Sequence, residues 1–451
     1  MARVTIGRGV YDAFRETIAH VRPFEDRSLG ALVHGMAVQR LCSSERLAKN
    51  AEKLYALGRR TIGRRATDAL LGQTFYRHYV AGAHERDLRA ASATLLRHNA
   101  KLMLCPPMED IDGKISDTNP NKIKENTDRF IRYLEIAADF NQTQPGQRAV
   151  VQFKPTGVFP NELMEQYSHD YERREVPLRD AVHECAEYAL ATGETKFATD
   201  VKTLTQYCMK EWMRLAKKSV EHSVPIIVDG ELRSTHYMLH ALTLSAQMLF
   251  NKRGSQETLI YDTFQCYMRN TPEYLAKCLE IAKCDQFRLG AKCVRGAYIE
   301  VERAIARRNN EPDPTHPNRE ATDKCYNSVI ASLLDEISGS SEQVALYIAT
   351  MNRESVEAAL ERIDHLGIRI DDPNLHFGQI YGMCDHITFS LGALGAQVYK
   401  STPWGSVEEW VPYLSRRAVE NHTALATARN ELPYYRAELK RRFRLYQDSL
   451  K

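Results

Sequence analysis

The stretch ALYIATMNRESVEAALERIDHLGIRIDDPNLHFGQI, residues 345–380, decides how the fold is read. It opens on a short, almost continuously apolar run, Ala345–Thr350, and passes through a helical pattern over Arg353–Leu366. It closes on a second apolar run, Leu375–Ile380. Apolar runs without alternation are what strands show when both faces are covered, as in a parallel sheet walled by helices. Working outward, the same texture recurs at Lys101–Cys105, Val150–Lys154, Pro225–Asp229, Leu259–Gln265, Ala291–Gly296 and Ala396–Lys400. Helical stretches such as Lys122–Phe140, Leu204–Glu221 and Glu320–Ile337 lie between them. Eight strand–helix alternations over about 300 residues are what a (β/α)8 barrel requires. The competing open, doubly wound sheet usually announces a dinucleotide site by a GxGxxG turn after its first strand, and no such turn occurs. Residues 1–100 read as helical, through Leu29–Arg40, Glu45–Leu57 and Glu85–His98.

The bulk properties narrow the function classes. A length of 451 residues fits about three domains or one barrel with extensions. Lys and Arg number 61 against 58 Asp and Glu, so a strong basic field is excluded and nucleic acid is a poor default partner. The longest nearly apolar run, Ala241–Phe250, is broken by Ser245 and Gln247 and falls far short of the ~20 residues that span a bilayer. Ten cysteines without a CxxC pair or zinc-ribbon spacing predict free thiols rather than a disulfide framework. The first 30 residues mix Arg3, Arg8, Arg15, Arg22 and Arg27 with Asp12, Glu16, Glu25 and Asp26. Transit peptides are poor in acids, so this segment reads equally as an ordinary amphipathic helix. No HExxH, GxSxG or P-loop motif occurs. His236 and His240 have metal-binding i, i+4 spacing but no evident carboxylate or Cys partner, and no metal site is expected. The basic run Lys440–Arg444 predicts a solvated helix face, with contact to an anionic membrane surface as the functional alternative.

In barrel enzymes the active site is built at the C-terminal ends of the strands. Reading those ends gives Lys154, Asp229 with Glu231, Gln265, Lys292 followed by Arg295, Gly296, Ala297 and Tyr298, Thr350 with Asn352, and Tyr399 with Ser401. Any one of them is explained as a solvated strand end; together they point to a site at the mouth. A second constellation follows the last strand. Tyr413, Arg416, Arg417 and Glu420 stand at i, i+3, i+4 and i+7 and share one helical stripe. Two adjacent guanidiniums offer planar forks matched to a carboxylate, and Glu420 is spaced to hold both. On spacing alone, an exposed helix laced with ion pairs explains the same residues.

Longer strings carry a resemblance. VRGAY (294–298), DPTHPNREATDKCYN (313–327), FGQIYGMCDH (377–386) and VYKSTPWGSVEEWVPYLSRRAVEN (398–421) resemble the proline dehydrogenase family. DTFQCY (262–267) and IIVDGE (226–231) agree with it in order and spacing. The resemblance implies an α/β fold, a distorted (β/α)8 barrel with an N-terminal helical region and a final helix over the barrel mouth. It divides the chain into a helical region 1–100, an FAD-binding barrel 101–430 and a basic helical tail 431–451. It implies FAD across the strand ends and an imino acid bound between the flavin and the arginine pair. Arg416 and Arg417 would bind the substrate carboxylate, Tyr413 would pack over the ring, and Glu420 would support the arginines. Lys154 and Asp229 would complete the polar wall. Gln265 and Lys292 would contact the isoalloxazine, Arg319 and Thr322 would cradle the phosphates and ribose, and Ile380 would pack on the flavin. Gly296, Tyr298, Thr350 and Asn352 complete the cofactor set. By the same resemblance the electron acceptor is a quinone, the compartment the matrix side of the mitochondrial inner membrane, and the membrane contact peripheral.

Two departures from the family pattern bear on activity. Proline-specific members usually carry Tyr where this chain has Ser401, in KSTPWG. That Ser resembles the hydroxyproline dehydrogenase branch; it removes bulk beside a 4-hydroxyl and supplies it a hydrogen-bond partner. The expected substrate is trans-4-hydroxy-L-proline, with L-proline as the alternative. Met351 stands in ATMN where the family generally reads THN or SHN, next to the expected flavin. A non-catalytic barrel scaffold is the reading from another class; the intact Arg416/Arg417 pair, Lys154, Asp229 and Gln265 argue against it.

Overall fold

The structure is a computed structural model that describes residues 9–42, 44, 50–107, 119–190, 201–255, 257–340 and 342–449, with residues 411–413 and 415–430 of the last helix described by backbone alone. Eight strands close a barrel in sequence order: β1 Ala100–Cys105, β2 Val150–Phe153, β3 Ile226–Val228, β4 Ile260–Gln265, β5 Leu289–Val294, β6 Val344–Ala349, β7 Leu375–Ile380 and β8 Gln397–Pro403. The pairs from β1·β2 through β5·β6 are parallel, with Gln152 opposite Ile227, Thr263 opposite Lys292 and Lys292 opposite Tyr347. All eight expected strands are present. Their ends shift by a few residues for local reasons. β2 stops at Phe153 because Pro155 has no N–H for the ladder and opens a 3-10 turn, which leaves Lys154 just past the strand. β8 runs on to Pro403, so Ser401 lies inside it.

The chain forms two compact parts. The first comprises Met103–Thr350 and Ala358–Phe377. Here helices follow each strand, among them Pro120–Thr143, Val201–His222, His236–Phe250, Thr271–Cys284 and Arg319–Gly339. The 24-residue helix Pro120–Thr143 starts where it does because the Asn119 side chain accepts from the Asn121 N–H and Pro120 occupies the first turn. Trp212 is buried, stacked on Phe153 with ring centres 5.1 Å apart, and its indole N–H donates to the Leu242 carbonyl at 2.8 Å. Aromatic side chains on the strands also pack together: Tyr347 stacks on His376 at 4.3 Å and meets Tyr261 edge-on at 4.8 Å.

The second part comprises Met1–Leu102, Met351–Glu357 and Gly378–Lys451. Its helices include Val10–His20, Leu29–Cys42, Ala51–Thr61, Arg64–Leu71, Glu85–Arg97 and the long Val407–Ser449. Residues 45–49 of the expected helix Glu45–Leu57 lie outside the described residues. The N-terminal helices dock on the long one through Phe24, Leu32 and Tyr435, with Phe24 and Tyr435 stacked at 3.8 Å. Arg441 and Arg442 of the basic run both bind Glu438, each at 2.7 Å, while Phe443 is exposed.

Candidate active site

The ends of β2 and β3 and the body of β5 deliver a buried charge cluster in the first part. Asp229 directly follows β3, tied by its N–H to the Phe153 carbonyl at 2.8 Å. Its Oδ1 accepts from Lys292 Nζ at 2.5 Å and from Gln152 Nε2 at 3.3 Å. Burial alone would raise this carboxyl, but Lys292 and Lys154 outweigh it and hold Asp229 below the ordinary carboxylate range. Burial likewise works against the Lys154 ammonium; Tyr298, Asp229, Cys105 and Glu231 outweigh it and keep the group above the ordinary lysine range. Lys154, Asp229, Lys292 and Tyr298, expected from separate stretches of sequence, thus share one neighbourhood.

Glu231 belongs to the same cluster. Its Oε1 accepts from the Thr156 hydroxyl at 2.8 Å and from the Thr156 N–H at 3.4 Å. Burial raises its carboxyl to about 7, against the opposing pull of Lys154 and Thr156. A raised folded-state value means that the stability tied to the protonated form is complete below the ordinary glutamate range and is lost as pH rises through about 7. Glu231→Gln keeps the acceptor for Thr156 and removes the charge. We expect it to be more stable than the parent protein at pH 8, by roughly 1–3 kcal/mol, with little difference at pH 4. Thermal midpoints of both proteins from pH 4 to 8 test this; parallel curves would refute it.

Gln265 ends β4 and is fixed rather than free: its Nε2 donates to the Glu231 carbonyl at 2.6 Å and lies 3.0 Å from His236 Nε2. Gly230 permits this approach, since a Cβ there would sit 2.8 Å from Gln265 Cγ. His236 Nε2 also meets the Glu231 carbonyl at 2.9 Å, and burial holds its imidazole neutral, down to about 3. His240, the other half of the i, i+4 pair, has a carboxylate partner that sequence spacing did not reveal: its Nδ1 pairs with Asp262. Among the described residues no group of three or more His, Cys, Asp or Glu is arranged to hold a metal.

A second cationic cluster follows β5. Arg295 donates to Thr350 Oγ1 at 2.7 Å, pairs with Asp323, and lies 4.4 Å from the centre of the Tyr326 ring. Arg319 reaches the same Asp323 at 3.6 Å, at i, i+4 on helix Arg319–Gly339. The Asn318 side chain caps that helix by accepting from the Ala321 N–H, and Thr322 sits buried in its first turns. Gly296 is required in this turn: its φ is +112°, and a Cβ would fall 1.7 Å from Tyr267 Cδ1. Arg295 was read from sequence only as a strand-end residue and Asp323 was not singled out, although the i, i+4 spacing of Arg319 and Asp323 was a usable signal.

In the second part, Ile380 ends β7, and its carbonyl accepts from Lys400 Nζ at 3.3 Å. Lys400 is wholly buried, bound to Asp385 at 2.9 Å, and Asp385 also takes Arg27 at 2.7 Å. Lys400 and Arg27 outweigh burial and hold the Asp385 carboxyl below its ordinary range. Successive strand residues point to opposite faces, so Ser401 looks away from this network; its carbonyl accepts from the Tyr381 N–H at 2.9 Å. Asn352 caps helix Arg353–Leu366, accepting from the Glu354 N–H at 2.8 Å. The carbonyl of Met351 faces Cys384 Sγ at 3.7 Å. The side chains of Tyr413, Arg416, Arg417 and Glu420 lie outside the described residues; the backbone of helix Val407–Ser449 runs through all four.

Comparison with known proteins locates these features in a family. The family described as proline dehydrogenase matches residues 117–430. A hydroxyproline dehydrogenase from Bos taurus is 31% identical, over 93% of this chain and 92% of its own length. Proline dehydrogenase 1, mitochondrial, from Homo sapiens is 38% identical over 51% of this chain and 38% of its own. Among solved structures, proline utilization A (PutA) from Bdellovibrio bacteriovorus matches 93% of this chain with TM-score 0.60 at 14% identity, and the chain spans 40% of that protein.

Proposed function

Because the chain belongs to the proline dehydrogenase family, we propose that it is an FAD-dependent dehydrogenase that oxidises trans-4-hydroxy-L-proline to the corresponding 1-pyrroline-carboxylate. Ser401 carries the choice of substrate. It is half-buried on β8, at the position where proline-specific members usually bear Tyr. Similarity to a hydroxyproline dehydrogenase over nearly the whole chain supports the same reading. L-Proline is the second reading, favoured by the higher identity to human proline dehydrogenase 1 over half the chain.

The residues present suit the cofactor chemically. The Lys292 ammonium, borne on β5, is held by Asp229; Arg295, Arg319 and the N-terminal end of helix Arg319–Gly339 supply positive charge for a pyrophosphate. Lys292, Gln265, Gly296, Tyr298, Arg319, Thr322, Thr350, Asn352 and Ile380 are the proposed cofactor set. When bound, FAD would accept the hydride from the ring carbon beside nitrogen. The protein's share is orientation and charge. Arg416 and Arg417 hold the carboxylate, Glu420 steadies them, and Tyr413 packs on the ring. Lys154 and Asp229 form the polar wall, Ser401 meets the 4-hydroxyl, and Lys292 keeps a cation where the reduced cofactor is more anionic.

The catalytic unit is proposed to be residues 101–430, with 1–100 and 431–451 flanking it. A quinone as electron acceptor and a setting on the matrix side of the mitochondrial inner membrane are part of the same proposal; the name of the mitochondrial relative supports the organelle alone. Peripheral membrane contact is proposed at the C-terminal run, where Phe443 is exposed beside Arg444. No helix among the described residues is long and apolar enough to cross a membrane.

The test is anaerobic titration of the yellow protein with each imino acid, followed by kcat/KM side by side. Hydroxyproline is expected to be preferred, and Ser401→Tyr to shift the ratio toward L-proline by about 10–100-fold. Equal or higher kcat/KM for L-proline in the parent protein refutes the preference. A colourless protein that cannot be reconstituted refutes the dehydrogenase chemistry.

A further inference from the structure

His236 and His240 are not used by the proposed chemistry, yet both belong to a staple whose two ends lie on β4. Strand residues two apart share a face, so Asp262 and Phe264 point to one side of β4, and Thr263 and Gln265 to the other. On the first side Asp262 pairs with His240 Nδ1, and His240 stacks on Phe264 with ring centres 5.5 Å apart. One turn earlier on helix His236–Phe250, the His236 ring meets His240 edge-on at 5.7 Å. From there it returns to the strand, its Nε2 lying 3.0 Å from Gln265 Nε2. A cavity of about 60 Å³ borders the same ring, lined by Glu172, Arg233, Tyr274 and both histidines.

The backbone of Gln265 is already pinned: its carbonyl accepts from the Thr271 hydroxyl at 2.7 Å and from the Met268 N–H at 3.2 Å. What is left to decide is which end of the amide faces outward, since one end donates and the other accepts. The Glu231 carbonyl, 2.6 Å from Nε2, can only accept, so it takes one amide hydrogen and excludes Oε1 from that place. We propose that His236 is a positioning residue for Gln265: its Nε2 accepts the second amide hydrogen, which locks Nε2 against helix His236–Phe250 and leaves Oε1 as the group that Gln265 presents to the cofactor. The inference rests on the proposed contact between Gln265 and the isoalloxazine. One hydrogen bond would fix a direction only, whereas two on the same nitrogen fix the plane of the amide. The neutral imidazole then carries its proton on Nδ1, which has no protein partner among the described residues and sits on a ring that borders the cavity. The competing tautomer, with its proton on Nε2, donates to the Glu231 carbonyl at 2.9 Å and turns an N–H toward the Gln265 amide. That leaves a donor of a buried side chain unpaired, which is the costlier arrangement.

The experiment compares His236→Phe, His236→Gln and Gln265→Leu in the full-length holoenzyme. Phe keeps the ring volume, so the cavity does not grow, but it removes the acceptor; Gln returns an amide oxygen at similar reach. The readouts are the FAD dissociation constant, the visible flavin spectrum and the thermal midpoint. His236→Phe should weaken FAD by about 3–10-fold, the worth of one hydrogen bond, and alter the band shape of the flavin. His236→Gln should restore FAD binding to within about twofold of the parent protein, together with the parent spectrum. In a Gln265→Leu background, His236→Phe should change neither, because the group it positions is gone. His236→Leu repeats the comparison if the thermal midpoint shows that the phenyl ring is not accommodated. The proposal falls if His236→Phe weakens FAD equally in both backgrounds, the mark of a purely structural role, or if His236→Gln restores nothing. It falls alone if Gln265→Leu weakens FAD and His236→Phe does not. Unchanged FAD binding in Gln265→Leu would overturn the cofactor role of Gln265 together with it, so the two failures are told apart.

Discussion

Asp229→Ala is expected to destabilise the protein by about 3–5 kcal/mol, the cost of stranding a buried charge whose partner has been removed. The position is unusual because one carboxylate answers two ammoniums. Lys292 binds it directly at 2.5 Å, with side-chain exposures of only 6% and 16% for the pair, and Lys154 feels its charge as well. Without Asp229, two cations remain in a weakly solvated wall, and one must shed its proton or draw in water. Removing Lys292 together with Asp229 should therefore restore part of the loss. In denaturant unfolding the double variant Asp229→Ala/Lys292→Met should recover about 1–3 kcal/mol relative to additivity. A single-variant loss below about 1 kcal/mol would mean that the cluster is solvated, and would remove the basis for assigning Lys292 a fixed charge.

How much of this cluster can be read before any coordinates exist follows from what each residue depends on. The strands are legible because parallel strands covered on both faces must be apolar throughout, and Leu375–Ile380 falls at the bounds its composition predicts. Lys154, Asp229, Gln265 and Lys292 are legible because polar or ionisable residues toward the ends of apolar runs have few structural reasons to be there. Their partners are not. That Asp229 pairs with Lys292, 63 positions away, depends on strand register, which local pattern does not encode. The contact of His236 and Gln265 with the Glu231 backbone was missed for a related reason. Their roles rest on a shared contact at one backbone carbonyl, which any residue type could offer. His240 looked partnerless because Asp262, 22 positions on, belongs to the next strand. Ser401 shows the opposite case: its identity mattered at once by family pattern, while its place within β8 required the strand to be seen running past Lys400.

The other large effect is expected at the arginine pair. Truncating one partner of a desolvated, hydrogen-bonded charge pair typically costs 2–5 kcal/mol. On the proposed role, Arg416→Met or Arg417→Met should lower kcat/KM by about 30–1,000-fold with a full-length imino acid. The reason is geometric as much as electrostatic: a guanidinium fork fixes the plane of the carboxylate, and the reacting ring carbon is then placed by a rigid three-bond tether. A loss of this size could also arise from a damaged helix, so the substrate must be part of the test. Pyrrolidine has the reacting carbon and nitrogen but no carboxylate. If the arginines act by holding that group, pyrrolidine turnover in the variants should fall by less than about threefold, and the parent enzyme's advantage for the carboxylated substrate should collapse. Equal losses on both substrates would show that the arginines support the helix instead. The carboxylate would then need another cation, and Lys154, buried and held protonated beside Asp229, is the candidate already in place.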